Sequence, residues 1–396
     1  MKISATVCEY NPYHNGHKYL ADYAKSNGDD YFVGIMSGNV VQRGEFAVLD
    51  KFLRARAAVQ NGVDLIIELP CIYSLSSAEW FAYGAVKTLD LCGCIDKLYF
   101  GTECEDTELL MKTAEAVSSG KVYERIKELA SKGYSHPRAL HTAVREIYSD
   151  DCADVLSMPN NTLGIEYIRA LNAISSSITP CAVLRKGVGH NASETCGEYA
   201  SASFIREKIL SNDTAYKDFI PKTVCDIIDK SICCGSSPAR LQNHERGFLQ
   251  ALRRLSPDDW RKTPHISEGL ENRLYKAVRE YSSIEEIIQS VKCKRYTYAR
   301  LSRGVMCAYL GITKEIAQTE PQYIRALAFN KRGIDVLREI NKTAGLPVIM
   351  SPARDKGKLN DKGRELFELE CRVTDLYGLF TPTVQKCGRD FTQGVY

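Results

Sequence analysis

Short apolar runs alternate with helical periods over the first hundred residues, and this alternation constrains the fold more than any other feature. The runs are rich in branched and aromatic side chains and span residues 3–7, 31–36, 65–69 and 98–100. Helical periods separate them at about residues 17–26, 50–61 and 78–91. Strands connected through helices at this spacing need crossover connections, so the pattern predicts an α/β fold with a parallel, Rossmann-like sheet.

The second half of the chain reads differently. A further apolar run at 181–184 is expected to return to the sheet, and helical periods then dominate at 251–255, 284–291, 301–310 and 323–340. The polar stretch SICCGSSPARLQN, residues 231–243, is the best candidate for a linker. We therefore predict a Rossmann-like catalytic domain over residues 1–235 and a mainly α-helical domain over residues 236–396.

Composition excludes several classes of protein. The chain has 396 residues and a formal net charge of +3, so contact with nucleic acid would require a local basic patch. Its 15 cysteines are irregularly spaced and lack the CxxC repeat of structural zinc sites, which favours free thiols in a reducing cytosol. No stretch approaches the roughly 20 apolar residues of a membrane span, and we expect a cytoplasmic protein.

The segment NPYHNGH, residues 11–17, follows the first predicted strand and therefore lies at the carboxyl edge of the sheet, where such folds bind ligands. His14 and His17 are one helical turn apart, Gly16 allows close approach, and a helix beginning here would point its free N–H groups at a phosphate. A metal site is the weaker alternative, because no third ligand follows at a useful spacing. A solvated turn is the default for either histidine alone, but it accounts less well for the pair.

A second segment, SASFIR, begins another predicted helix. Ser201 or Ser203 can cap that helix, and Arg206 can pair with phosphate oxygens. Together NPYHNGH and SASFIR resemble the two signatures of the HIGH-type nucleotidylyltransferase superfamily. The second match departs at Ala202, where the common motif has another serine. The resemblance implies that both segments contact a nucleoside triphosphate.

Longer stretches make the resemblance more specific. The segment from Ser37 to Pro70, together with PNNTLGIEYIRAL and KRYTYARLSR, is similar to the tRNA(Met) cytidine acetate ligase family along nearly the whole chain. That family joins acetate to ATP as acetyladenylate and then acetylates N4 of the wobble cytidine, C34, of elongator tRNA(Met). The resemblance implies the same activity, with ATP as co-substrate and acetate and tRNA as partners.

The resemblance also assigns residues. It implies catalytic roles for His14, His17, Ser203 and Arg206. It implies ATP contacts for Val7, Cys8, Glu9, Tyr10, Asn11, Pro12, Tyr13, His14, Asn15, Gly16, His17, Lys18, Tyr19, Leu20, Gly101, Asn161 and Arg185. Of two adjacent asparagines we assign the nucleotide contact to Asn161, and helix capping to Asn160. Mg²⁺ is expected with ATP, although no residue is diagnostic of a metal ligand.

Basic residues after the second strand offer a further hypothesis. Helical spacing puts Lys51 and Arg54 on one face, with Arg56 turned away and Arg43 upstream of them. These cations could line a triphosphate or acetate site, or they could form a solvated helix face. The amides of residues 37–39, at the same edge of the sheet, could hold the acetate.

The stretch KCKRYTYARLSR, residues 292–303, combines basic and aromatic side chains without an acid. Basic residues can contact phosphates and tyrosines can stack on unpaired bases, although charge runs are usually solvated faces. With the resemblance, this pattern predicts tRNA contacts for Lys294, Arg295, Tyr298, Arg300 and Arg303.

Two rival functions remain open from the sequence. A small-molecule nucleotidylyltransferase would show the same two signatures, although it would not need the long helical second half. A non-catalytic RNA-binding protein would leave the His14 and His17 pair unexplained. No protein partner and no membrane contact are expected.

Overall fold

The structure, a computed structural model, describes residues 1–186 and 195–396 and is built around a central β-sheet. The described strands are β1 (Ile3–Cys8), β2 (Tyr31–Ser37), β3 (Val40–Val41), β4 (Glu45–Phe46), β5 (Leu65–Leu69), β6 (Lys97–Thr102), β7 (Thr179–Leu184), β8 (Thr195–Cys196), β9 (Tyr199–Ala200), β10 (Ile324–Phe329) and β11 (Val348–Ile349). Seven of them form one sheet in the order β11-β10-β5-β2-β1-β6-β7. The other four form two short hairpins, β3–β4 and β8–β9.

Most neighbours in the sheet are parallel, which confirms the predicted α/β class. β1 pairs with both β2 and β6, β2 pairs with β5, and β6 pairs with β7, all in parallel. β10 runs antiparallel to β5, and β11 pairs in parallel with β10, so these two strands run opposite to the other five. The sheet therefore presents the carboxyl ends of β1, β6 and β7 at one edge, as the alternation of strands and helices predicts.

Helices cover the sheet and fill the second half of the chain. Those up to residue 233 are α1 (Asn15–Ser26), α2 (Lys51–Val59), α3 (Cys71–Ser74), α4 (Ala78–Asp90), α5 (Thr107–Ser118), α6 (Gly120–Ser131), α7 (His136–Ile147), α8 (Asp150–Val155), α9 (Pro159–Ala173), α10 (Ala202–Leu210) and α11 (Lys222–Cys233). Those that follow are α12 (Glu245–Arg253), α13 (Pro257–Lys262), α14 (Leu270–Glu280), α15 (Ile284–Val291), α16 (Tyr298–Leu310), α17 (Lys331–Thr343), α18 (Pro352–Asp355), α19 (Asp361–Tyr377) and α20 (Arg389–Thr392). Among the described helices, none is long and apolar enough to cross a membrane.

The predicted helix over 323–340 is wrong in its first part. Residues 324–329 form the buried strand β10, and Asn330 then caps α17 by accepting a hydrogen bond from the amide of Gly333 at 2.9 Å. The run IRALAF passes into the helix without an intervening turn, so periodicity alone merged the two elements. The segment beyond residue 236 thus supplies β10 and β11, while the domain boundary at residue 235 stays a prediction.

A buried group of charges joins strand β10 to the rest of the sheet. Glu68 of β5 accepts from Lys51 at 2.7 Å and pairs with Arg325 of β10 at 2.9 Å. Asp390 contacts the same two cations at 2.8 and 2.6 Å. All four side chains are at most 3% exposed. Because buried charges are costly without partners, each ion in this group depends on the others.

The expected cationic lining after β2 is therefore wrong for Lys51 and Arg54. Burial and the neighbouring Arg325 lower the pKa of the Lys51 ammonium, but Asp390, Glu68 and Glu370 together raise it by more, so Lys51 stays charged inside the protein. The buried Arg54 guanidinium donates to the backbone carbonyl oxygens of Glu9, Ser37, Gly38 and Leu49. These contacts fasten the loops after β1 and β2 together. Arg56, as expected, turns away, and its guanidinium lies 4.9 Å from the ring centre of Tyr396.

The β3–β4 hairpin is held against helix α16 at very close range. Gly44, in the turn, has a φ of +82°, and a Cβ atom there would lie 2.4 Å from the amide nitrogen of Arg303. The Ser302 hydroxyl donates to the Gly44 carbonyl oxygen at 2.9 Å. Only glycine fits this position, both for its backbone conformation and for the contact. The hairpin and α16 therefore keep a fixed relation to each other.

We expect Arg325→Met to destabilise the protein strongly. The change leaves Glu68 and Asp390 buried with a single ammonium between them, and breaking a buried ion pair typically costs about 3–5 kcal/mol. Urea unfolding at neutral pH measures the loss. Arg338→Met on the surface of α17, where Arg338 is 70% exposed, is the matched control and should change stability little. Equal effects of the two changes would contradict the interdependence of the buried charges.

Candidate active site

A cavity of about 280 Å³ lies at the carboxyl edge of the sheet, beside the start of α1. β1 and the following loop contribute Thr6 through Asn11, and α1 contributes its first turn. The ends of β6 and β7 and the start of α10 close the other sides. The cavity therefore lies where parallel sheets bind ligands and where the free amides of a helix start are available.

His14 and His17 cap the start of α1 reciprocally. The His14 ring accepts through Nδ1 from the amide of Gly16 at 3.1 Å, and the His14 amide donates to Nδ1 of His17 at 3.2 Å. The two rings stack with their centres 3.6 Å apart. A Cβ atom on Gly16 would lie 3.0 Å from the His14 ring, so glycine allows this close packing.

Both imidazoles are neutral at physiological pH. Burial, together with Arg185 and Arg206, lowers the pKa of His14 to about 3, and burial with the neighbouring His14 lowers the pKa of His17 well below its usual value. Because each Nδ1 accepts a backbone hydrogen bond, the single ring proton of each histidine lies on Nε2. Both rings line the cavity, so the pair supplies N–H donors without adding charge.

Arg206 supplies the permanent positive charge at the start of α10. Ser201 caps that helix by accepting from the amide of Phe204 at 3.1 Å, as one of the two sequence alternatives predicts. The Arg206 guanidinium donates to the Asn11 carbonyl oxygen at 3.1 Å and to the Ser203 hydroxyl at 3.1 Å. Arg206 thereby connects the second signature to the NPYHNGH loop. Ser203 does not line the cavity and acts here by holding Arg206.

Glu9 is the only carboxylate among the described residues that line this cavity. It accepts from the amide of Gln42 at 2.7 Å, and burial raises its pKa. In the described part of the chain, no group of three or more His, Cys, Asp or Glu side chains could hold a metal ion. The cavity residues by themselves therefore do not form a metal site.

The opposite wall places Asn160, rather than Asn161, at the cavity. Asn161 is buried, and its side-chain oxygen accepts from the amides of Glu103 and Cys104 at 2.8 and 3.1 Å. Asn160 lines the cavity and accepts from Arg185 at 3.1 Å. Neither side chain caps α9, whose N-cap residue is Met158, and the nucleotide contact of Asn161 stays a prediction. Gly101 and Arg185 line the cavity, as predicted.

Several residues that the sequence assigned to ATP do not line the cavity, namely Pro12, Tyr13, Asn15, Lys18 and Asn161. The hydroxyl of Tyr13 donates to the Asn61 carbonyl oxygen at 2.9 Å, and Lys18 pairs with Asp22 at 2.6 Å. Other lining residues were not assigned to ATP from the sequence, namely Gln42, Phe81, Phe100, Asn160, Leu163, Tyr167, Lys186 and Tyr199. Their positions after strands and at helix starts follow only from the topology.

The basic and aromatic stretch at the start of α16 divides into two groups. Lys294, Arg295 and Tyr298 are exposed. Arg295 pairs with Glu268, and the Tyr298 hydroxyl donates to Glu285. The other group, Arg300 and Arg303, is directed into the protein.

The inward-facing arginines make internal contacts. Arg300 donates to the His265 carbonyl oxygen and the Ser267 hydroxyl, both at 3.0 Å. Arg303 donates to the Gln42 carbonyl oxygen at 3.3 Å. These two arginines therefore fasten α16 to its surroundings, and the outward-facing group forms the accessible surface of the stretch.

The family model described as HIGH Nucleotidyl Transferase matches residues 1–391 of the chain. The tRNA(Met) cytidine acetate ligase of Thermoanaerobacter sp. (strain X514) is 38% identical over 398 residues, covering 99% of this chain and 98% of the relative. The enzyme of the same name from Acetivibrio thermocellus is 35% identical over 412 residues, covering 100% and 99%. The similarity thus extends along the whole chain rather than over the two signatures alone.

Solved structures agree with this similarity. The apo crystal structure of Thermotoga maritima TmcAL superposes with a TM-score of 0.94 at 32% identity, covering 100% of this chain and 99% of that one. A second crystal structure of the same protein, bound with alpha-thio ATP, gives a TM-score of 0.92 at 32% identity, with 99% and 98% covered.

The buried histidine at the helix start predicts a specific pH dependence. Unfolded histidine takes up a proton near pH 6.5, whereas folded His14 does so only at about 3, so acidification favours the unfolded state. When the pH is lowered from 7 to 5, we expect the free energy of unfolding of the wild-type protein to fall by on the order of 2 kcal/mol because of His14. His14→Asn keeps an oxygen that can cap the helix and should lose less over the same range. Urea unfolding at both pH values measures the difference.

The matched control for this change is His136→Asn, at an exposed position of α7. Its loss of stability between pH 7 and 5 should equal that of wild type. If His14→Asn loses as much stability as wild type between pH 7 and 5, His14 is not held neutral in the folded protein.

Proposed function

The chain belongs to the tRNA(Met) cytidine acetate ligase family, and we propose that it joins acetate to ATP as acetyladenylate and then acetylates N4 of C34 in elongator tRNA(Met). One observation carries the proposal for the first step. His14, His17 and Arg206 bring two neutral N–H donors and one guanidinium to a single cavity at a helix N-terminus. The relative that superposes on this chain binds an ATP analogue. A tRNA acceptor implies that the reaction takes place in the cytoplasm.

In the first step, a carboxylate oxygen of acetate attacks the α-phosphorus of ATP. The bond from that phosphorus to the bridging oxygen breaks, and pyrophosphate leaves with the electron pair. Negative charge builds on the phosphate oxygens, where the Nε2–H groups of His14 and His17 and the Arg206 guanidinium can donate. Because the histidines are neutral, their donor protons remain available across the physiological pH range.

In the second step, the N4 amine attacks the carbonyl carbon of the acetyladenylate. The bond from that carbon to the phosphate oxygen breaks, AMP leaves with the electron pair, and the amine loses one proton. The protein must then hold an RNA base beside the same cavity. The exposed residues Lys294, Arg295 and Tyr298 supply a surface on which the RNA backbone and unpaired bases can bind.

Mg²⁺ enters this proposal as part of the ATP complex rather than as a resident ion. The described residues contain no cluster of metal ligands, and Glu9, the only carboxylate in the described lining, already accepts from the Gln42 amide. The triphosphate itself supplies the oxygens that Mg²⁺ prefers.

We expect His17→Ala to slow acetate-dependent exchange of labelled pyrophosphate into ATP by about 100–1,000-fold, equivalent to about 2.7–4 kcal/mol for one lost donor. Lys18→Ala is the matched control, because Lys18 lies in the same helical turn but pairs with Asp22 outside the cavity. The control should exchange at the wild-type rate. Thermal unfolding of both variants establishes that each is folded.

Three outcomes of the exchange assay would contradict parts of the proposal. Near-normal exchange in folded His17→Ala would remove His17 from the mechanism. Wild-type exchange that does not depend on acetate would indicate adenylyl transfer to another molecule. No exchange in the wild-type protein under any condition would favour a binding protein over an enzyme.

The double change Lys294→Ala and Arg295→Ala should weaken tRNA binding and flatten its salt dependence. Each lost phosphate contact lowers the slope of log affinity against log salt by roughly 0.7–0.9. Filter binding across a salt series measures the slope, and acetate-dependent pyrophosphate exchange without tRNA should be unchanged. Arg300 and Arg303 are left intact, because their internal bonds would make a change there a test of folding.

The control for this prediction is Lys121→Ala with Lys127→Ala, which removes two exposed cations from α6. It alters net charge by the same amount at a distant helix. An unchanged slope in the α16 variant, or an equal change in the α6 variant, would mean that residues 294 and 295 do not contact the RNA.

A further inference from the structure

A second cavity, of about 540 Å³, lies between the β3–β4 hairpin and helices α12, α15 and α16. Its volume is in the range of about 300–1,000 Å³ that is typical of small-molecule sites. Phe248, Ile288 and Val305 provide the apolar wall on the helical side. Protein interiors are close-packed, so core packing alone does not account for an open space of this size.

The second cavity shares a wall with the first. Arg206 lines both of them. The β3–β4 hairpin also lies between the two cavities, because Gln42 lines the first while Arg43 and Glu45 line the second. The bond between Arg303 and the Gln42 carbonyl oxygen fixes this hairpin to α16. A molecule in the second cavity would therefore lie next to a molecule in the first.

The polar lining mixes acceptors and donors. Glu45 and Glu285 contribute carboxylates, while Arg43, Arg240 and Gln242 contribute N–H groups. The two carboxylates offset two of the three arginines that line this cavity, so little net charge remains to hold a second triphosphate. The same mixture suits the edge of a cytosine, in which an amino group donates and a ring nitrogen and a carbonyl oxygen accept.

The aromatic lining suits the flat faces of such a base. The Tyr298 ring is 37% exposed, and its hydroxyl is oriented by a hydrogen bond to Glu285. Phe46, on the hairpin, is half-buried and packs against Phe380 with ring centres 4.6 Å apart. Unpaired bases stack on aromatic side chains, whereas a base inside a stacked loop cannot reach a cavity.

We propose that the second cavity receives the acceptor cytosine of the RNA, turned out of its loop, with its ring nitrogen N3 accepting from Arg206 and the neighbouring amino group directed toward the first cavity. This inference rests on the proposed function and locates its second substrate. The amine then reaches the acetyl carbonyl of the adenylate beside Arg206, where the two cavities adjoin, as direct attack on the carbonyl carbon requires. The exposed residues 294 and 295, just before α16, bind the neighbouring RNA backbone outside the cavity.

Filling the cavity tests the proposal. Ala299 of α16 lines it, and Ala299→Phe places a ring in the space for the base. Acetyl transfer to tRNA should fall on the order of 100-fold, since small displacements of a reacting group cost about that much. Acetate-dependent pyrophosphate exchange should stay near the wild-type rate. Ala130→Phe, at an exposed position of α6, is the matched control and should leave both rates unchanged.

The outcomes separate this inference from the proposed function. Absence of acetate-dependent exchange in wild type would overturn the proposed function itself. Normal exchange in wild type together with normal acetyl transfer in folded Ala299→Phe would overturn only the assignment of the second cavity. If Ala299→Phe does not fold, Phe46→Leu in the cavity lining replaces it and should reduce transfer with exchange retained; unchanged transfer in folded Phe46→Leu would overturn the assignment.

Crosslinking gives a direct measurement on the wild-type protein. A substrate tRNA carrying 5-bromocytidine at the acceptor position is irradiated in the complex, and the attached peptides are identified by mass spectrometry. The proposal predicts attachment to the peptides that contain Phe46 or Tyr298. Attachment confined to peptides that do not line the second cavity would overturn it.

Discussion

The buried charges of Lys51, Glu68, Arg325 and Asp390 hold the sheet together across the length of the chain. They come from α2, β5, β10 and α20, and each is stable in the interior only because the others are present. The contact brings β10 to the outer side of β5, so the C-terminal segment completes the sheet that carries the active site. Arg54 then fixes the loops after β1 and β2 from the neighbouring position in α2. The loop after β1 is therefore supported by an interior that contains buried charges.

The chemistry depends on the way in which backbone groups orient side chains. Each Nδ1 of the histidine pair accepts an amide at the start of α1, which leaves both Nε2–H groups as donors. Arg206 is oriented in the same manner by the Asn11 carbonyl oxygen. Such preorganised donors stabilise developing charge without rearrangement during the reaction, and this is the main means by which proteins accelerate transfer at phosphorus.

Much of the fold could be predicted because buried parallel strands appear as continuous apolar runs, and β1, β2, β5, β6 and β7 were found in this way. β10 was missed since its run continues directly into α17. The ion partners of Lys51 lie far away in sequence, so its spacing on a helix suggested a surface or a ligand site instead. Asn160 and Asn161 differ by about 100° around their helix, and a sequence match cannot decide which of two adjacent residues faces a cavity. The histidine pair and Arg206 were predictable because motif spacing and topology specify them together.

The position of Arg206 between two cavities has a thermodynamic consequence. Its guanidinium is a single group with a fixed number of N–H donors, and two of its bonds already go to Asn11 and Ser203. A ligand in one cavity that reorients this guanidinium changes the binding free energy of a ligand in the other cavity. This effect is reciprocal. The first ligand changes the affinity for the second by the same factor by which the second changes the affinity for the first. One side chain, rather than a moving domain, thus couples the two cavities.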